Sequence, residues 1–121
     1  MSKDMLTEMF ETQKSLQKKL GTEDKIKTES DKQLWINQNI LAIVEETVEI
    51  MRETGYKNPE YVKFGWKKGQ KWDIDKYKEE IVDLWHFVMN LCNAVDFTPE
   101  EFYHAYMSKN QKNRDRKDNN Y

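Results

Sequence analysis

Helix breakers are scarce in this chain. Two prolines and four glycines serve 121 residues, and three of the glycines fall between residues 55 and 74. So few interruptions leave room for long helices, and no stretch alternates polar and apolar residues as a half-buried strand does. A second cysteine is missing too. Cys92 alone excludes an internal disulfide, and its apolar neighbours suit a thiol in a reducing cytoplasm. Long apolar runs are absent: Leu41 to Val44 and the interrupted Leu84 to Leu91 are too short to span a bilayer, and the first six residues hold no apolar signal core. Nor is there an excess of one charge sign. A net charge of −2 points to neither nucleic acid nor a membrane surface, so a cytoplasmic protein is expected.

What remains is 35% charged and 37% hydrophobic residues, with four Trp, six Tyr and five Phe. The aromatics argue for an ordered chain, and the length for one domain over 1–121. The apolar share is too small to fill a large core alone. The expectation is an all-α bundle of four to five helices, completed by a homodimer that shares a core.

Helical spacing of Leu6, Met9, Phe10, Gln13, Leu16, Gln17 and Leu20 predicts a first helix over about 4–20, ended by Gly21. Residues 21–30 read as a loop, with Ser30 or Asp31 capping a second helix from about 31 to 54 that stops at Gly55. Residues 55–74 form a loop, and Asp73 or Asp75 opens a third helix to about 95. Thr98-Pro99-Glu100-Glu101 starts a fourth, running toward 110, with a polar tail over 108–121.

On the second helix Leu34, Leu41, Val44, Val48 and Met51 form a stripe of ordinary core spacing. The opposite stripe carries Trp35, Ala42, Glu46, Glu49 and Glu53, flanked by Ile43 and Ile50. On the third helix Glu80 lies in line with Leu84, Phe87 and Leu91, with Asp83 beside them. Carboxylates on a face that apolar residues bury are costly unless a cation or partner neutralises them. Glu46/Glu49 and Glu80/Asp83 share an i, i+3 spacing, which brings paired side chains within reach of one ion. Two such pairs on facing helices require a hard dication, Mg²⁺ or Mn²⁺, whose remaining ligands are typically water and phosphate. A single Glu-x-x-Glu is usually a solvated face; two beside apolar stripes raise the case for a metal.

The tail, Lys109-Asn110-Gln111-Lys112-Asn113-Arg114-Asp115-Arg116, reads either as a frayed solvated helix end or as a phosphate clamp. Its polarity suggests that it orders when nucleotide binds. Trp66-Lys67 either stacks on a base and touches a phosphate or pins its loop. Gln13 and Gln17 either read base edges or face solvent, and each amide offers a donor or an acceptor. His86 and His104 lack metal-ligand spacing, and Cys92 has no activating base nearby.

Together these residues resemble the dimeric dUTPases of the all-α nucleoside-triphosphate pyrophosphatase (MazG-like) superfamily. The resemblance runs through Met9-Phe-Glu-Thr-Gln13-Lys-Ser-Leu16, then Leu41-Ala-Ile-Val-Glu-Glu46-Thr-Val-Glu49-Ile-Met-Arg-Glu53, then Trp66-Lys67. It continues in Glu79-Glu80-Ile-Val-Asp83-Leu-Trp-His86-Phe87 and ends in Lys109-Asn110, Asn113, Arg116 and Tyr121. It implies Mg²⁺ on Glu46, Glu49, Glu80 and Asp83, with Glu49 or Glu46 as the catalytic base. It implies phosphates on Lys67, Lys109, Asn110, Asn113 and Arg116, with Gln13, Gln17, Trp66, His86, Phe87 and Tyr121 completing the substrate site. The expected reaction is dUTP to dUMP and pyrophosphate. Leu84 stands where the family usually has Gly, Gln17 where it has Asn or Asp, and the chain is shorter than most members. These departures touch the choice of base, so dCTP or a non-canonical nucleotide is the alternative. From other classes, a nonenzymatic nucleotide-binding helical module stands ahead of a nucleic-acid binder using the basic tail.

Overall fold

A computed structural model of the chain describes residues 3–54 and 72–119. Over these residues it is all-α, with five helices in the order α1 (Met5–Lys19), α2 (Thr22–Lys25), α3 (Glu29–Arg52), α4 (Ile74–Ala94) and α5 (Pro99–Asp118). The expected Gly55 stop and the loop residues 55–71, Trp66 and Lys67 among them, lie outside the described residues, as does Tyr121.

Caps explain most of the boundaries. Asp4 accepts from the Thr7 N–H at 2.8 Å to start α1, and Gly21, at φ +77°, turns the chain into α2. The segment expected to be a plain loop thus contains a helical turn. α3 begins earlier than expected. Neither Ser30 nor Asp31 is its cap; Thr28 is, accepting from the Asp31 N–H at 3.1 Å while the Asp31 carboxylate accepts from the Thr28 N–H at 3.1 Å. Asp73 caps α4, and Thr98 with Pro99 at N1 opens α5, as the sequence predicts. Between them Asp96 takes φ +53°. The Phe97 N–H reaches the Cys92 carbonyl at 2.9 Å and the Asp96 N–H reaches that of Asn93 at 3.3 Å. This corner, with paired bonds back into the last turn, seats Phe97 against the core.

α3 and α4 are the principal packed pair and run antiparallel: Asp73 bonds to Glu53 at one end, and Asn90 bonds to Asn39 further along. α1 lies across α4, and α5 packs back on α1 through Phe102 and Phe10. The apolar centre is small. Among the described residues only Phe10, Met89 and Cys92 are buried hydrophobics, with Leu6, Phe97 and Phe102 packed round them.

Two further expectations are corrected. The α3 stripe of Leu34, Leu41, Val44, Val48 and Met51 is exposed in a single copy, Leu41 to 68%. The side turned to α4 is the opposite one, which carries Ala42, Ile43, Glu46, Glu49 and Ile50, all half-buried. The tail expected to order only with nucleotide is helical through Asp118, braced by Arg114 Nε to Asn110 Oδ1 at 2.8 Å and Gln111 Nε2 to Asp115 Oδ1 at 3.0 Å.

Candidate active site

Where α3 faces α4, carboxylate oxygens of Glu46, Glu80 and Asp83 lie within 4.8 Å of one another. Glu46 and Glu80 are half-buried and Asp83 is exposed at the mouth. One oxygen of Glu46, Oε2, is buried without any hydrogen-bond partner. Desolvation pushes the Glu46 carboxyl up to about 7, helped by a hydrogen bond with Glu80 and by the charges of Glu80, Asp83 and Glu49. An orphaned buried oxygen in a ring of acids is a poor resting state for a protein and a good one for a cation. The donor set is oxygen only, which fits Mg²⁺ or Mn²⁺.

Glu49, the fourth expected ligand, stands outside the close trio. It is half-buried one turn further along α3, near enough for its charge to act on Glu46, and pairs with Arg52 at 3.5 Å.

One turn along α4 from Asp83, α1 and α4 border an open, largely apolar cavity of about 660 Å³, lined by Met5, Met9, Gln13, Trp85, His86 and Met89 among others and by none of the four acids. Gln13 and His86, both expected near the base, meet here. His86 Nδ1 lies 2.8 Å from the Val82 carbonyl, which can only accept, so Nδ1 is the donor. Phe87 is half-buried on the same helix. Gln17 does not share this space. Its Oε1 accepts from Thr22 Oγ1 at 2.5 Å, and it lines a separate cavity of about 340 Å³ with Trp35, Asn90 and Asn93. The two glutamines expected to read a base together thus face different cavities.

The helical tail sorts the expected phosphate ligands. Lys109, Asn113 and Arg116 recur at helical spacing and share an exposed face of α5, while Asn110 is turned aside and half-buried. α5 packs on α1, so the trio of acids is built by α3 and α4 without it.

Sequence reasoning missed Asn39 and Asn90. Both are only 3% exposed, like Gln13 at 4%, and the three amides are hydrogen-bonded in series. Each stands seven residues from an expected ligand on its own helix, Asn39 from Glu46 and Asn90 from Asp83, and that shared register was their signal.

Comparison with known proteins identifies the family. The sequence model of the dUTPase family matches residues 5–97, which contain all four acids, Gln13 and His86. A dCTP pyrophosphatase of Enterobacteria phage T4 is 29% identical over 143 residues, covering 98% of this chain and 84% of that protein. No solved structure matches the chain. With the family match spanning most of the sequence and every helix that builds the acid cluster, the chain belongs to the dUTPase family of nucleotide pyrophosphohydrolases.

Proposed function

We propose that this protein is a Mg²⁺-dependent pyrophosphohydrolase converting dUTP to dUMP and pyrophosphate. The observation that carries the reading is the trio Glu46, Glu80 and Asp83, with its unpartnered buried oxygen, set beside a cavity that offers polar groups to a base. Mg²⁺, when bound, supplies the positive charge that offsets the acids and draws electron density from the phosphates. Glu46, Glu80 and Asp83 hold it, with Glu49 adjacent. Glu49, set apart from the trio and held by Arg52, takes the proton of the attacking water. The base lies in the α1–α4 cavity against Gln13 and His86, with Phe87 behind. Lys109, Asn113 and Arg116 meet the phosphate chain with charge and N–H donors.

The same acids serve a second substrate equally well. The phage T4 relative is a dCTP pyrophosphatase, so dCTP is the alternative base. The exposed α3 stripe supports a homodimer, and the buried, unactivated Cys92 accords with a cytoplasmic setting.

The test is purified protein with Mg²⁺ against a panel of deoxynucleoside and ribonucleoside triphosphates, with EDTA as control and products separated by anion exchange. EDTA-sensitive conversion of dUTP to dUMP is expected, and Glu49→Gln should abolish it while the helical circular dichroism persists. Turnover of dCTP instead would establish the alternative, and hydrolysis of no nucleotide would overturn both.

A further inference from the structure

Three buried amides link α3, α4 and α1 in one direction. Asn39 Nδ2 donates to the Trp35 carbonyl at 2.8 Å, Asn90 Nδ2 donates to Asn39 Oδ1 at 2.9 Å, and Gln13 Nε2 donates to Asn90 Oδ1 at 2.8 Å. An isolated amide is symmetric enough to turn over, but this series is anchored at one end. A backbone carbonyl only accepts, so Asn39 must point its nitrogen at Trp35 and its oxygen at Asn90. Asn90 must then turn its own oxygen toward Gln13. Gln13 answers with its nitrogen, and Oε1 is the atom left for the cavity that Gln13 lines. Reversing any member would put two oxygens face to face in a site nearly closed to water.

We infer that the Trp35–Asn39–Asn90 series is a positioning device that fixes Gln13 as a hydrogen-bond acceptor, so that the base admitted must turn an N–H donor toward it. This rests on the reading of the α1–α4 cavity as the base site. Register supports that placement: Asp83 and His86, which lines the cavity, are three residues apart on α4 and neighbours on one face of the helix. A pyrimidine nucleotide lying along that face meets the acids with its phosphates and Gln13 with its base. Uracil N3–H and the cytosine 4-amino group both satisfy Gln13, whereas a pyrimidine lacking both does not. Asn39 and Asn90 touch no ligand in this scheme; they act through Gln13.

The experiment compares dUTP and dCTP with the triphosphate of 2′-deoxyribosyl-pyrimidin-2-one, which has neither donor and adds no bulk. On the wild-type protein the better natural substrate should exceed this analogue at least about a hundredfold in kcat/KM, since a site built around one hydrogen bond rejects a ligand that leaves it unmade. Asn39→Leu removes the anchor while keeping an apolar, well-filled position. It should raise KM more than it lowers kcat and shrink the discrimination to within about tenfold. Asn39→Asp still accepts from Asn90 and, when protonated, still donates to Trp35, so it should keep the discrimination. A merely structural Asn39 predicts the reverse, with Leu tolerated and the buried acid harmful. Equal use of the analogue by the wild type, or discrimination kept in Asn39→Leu and lost in Asn39→Asp, would overturn the inference. If no triphosphate is hydrolysed, the proposed function falls, and the series is judged by NMR. Slow-exchanging side-chain amide protons on Asn39, Asn90 and Gln13, with Gln13 losing protection in Asn39→Leu, are then required, and their absence refutes it.

Discussion

Glu46 carries a conflict between folding and function. Its carboxyl is desolvated and surrounded by Glu80, Asp83 and Glu49, and its titration sits at about 7 rather than the ordinary 4.5. A carboxyl raised in the folded state contributes stability that is full below the unfolded value and is lost as pH rises through the folded one. Without metal, the protein should therefore lose stability between about pH 4.5 and pH 7. A cation that prefers the ionised form should restore it above that window. In thermal melts, Mg²⁺ should raise Tm markedly more at about pH 8 than at about pH 5.5. Glu46→Gln should melt higher than the wild type in EDTA at the upper pH and lose the Mg²⁺ effect. Equal Mg²⁺ shifts at both pH values would show that the trio does not bind the ion. The convergence of Glu46, Glu80 and Asp83 was legible as a possibility, because two i, i+3 pairs on apolar-flanked helices favour a shared site as much as a solvated face. The amide series was not, since its three members come from three helices and only packing brings them together. Hydrogen-bond direction is equally invisible in a sequence: the Gln13 code allows either polarity, and Trp35's carbonyl decides it.

At the scale of elements, local chemistry set the ends that were read correctly and misled where two caps competed. Thr98, Pro99 and Glu101 form an unambiguous start. Near α3, Ser30 and Asp31 are better-placed by composition, but Thr28 takes the cap because Asp31 then returns a bond to the Thr28 N–H. α5 outran its expected end because an apolar stripe is a poor guide to a helix held by side-chain bonds four residues apart on its exposed surface. The α4–α5 corner offers a test of these local terms. Asp96 occupies a left-handed conformation in which a glycine meets no Cβ penalty. Relief of the left-handed penalty, roughly 1–2 kcal/mol, exceeds the roughly 0.5–1 kcal/mol of entropy that glycine adds to the unfolded chain, so Asp96→Gly should stabilise the fold by a net of about 0.5–1 kcal/mol. Urea unfolding with an unchanged m-value would report it. A loss of stability instead would mean that the Asp96 side chain does more at this corner than the backbone geometry accounts for.

For the whole molecule the open matter is what covers α3. Periodicity correctly marked Leu34, Leu41, Val44, Val48 and Met51 as a stripe, but periodicity cannot say which chain buries it. Inside one copy the α3–α4 contact uses the acid-bearing side instead, so the stripe faces outward over 18 residues, about 27 Å of helix. Apolar patches of that extent on a small domain mark association surfaces, and a two-fold pairing of α3 with its own copy would enlarge a core that otherwise rests on Phe10, Met89 and Cys92. It would also place two acid trios on the outer sides of a paired α3 layer, each opening away from the interface. The expected solution mass is therefore twice that of the chain. Leu41→Glu with Val44→Glu should halve it, because paired charges would be buried against their own copies, and should leave a lower Tm that no longer depends on protein concentration. Light scattering after size exclusion distinguishes the cases. A wild-type protein that runs as a single chain, and is unaffected by the two glutamates, would mean that α3 stays bare in solution and that the small core suffices alone.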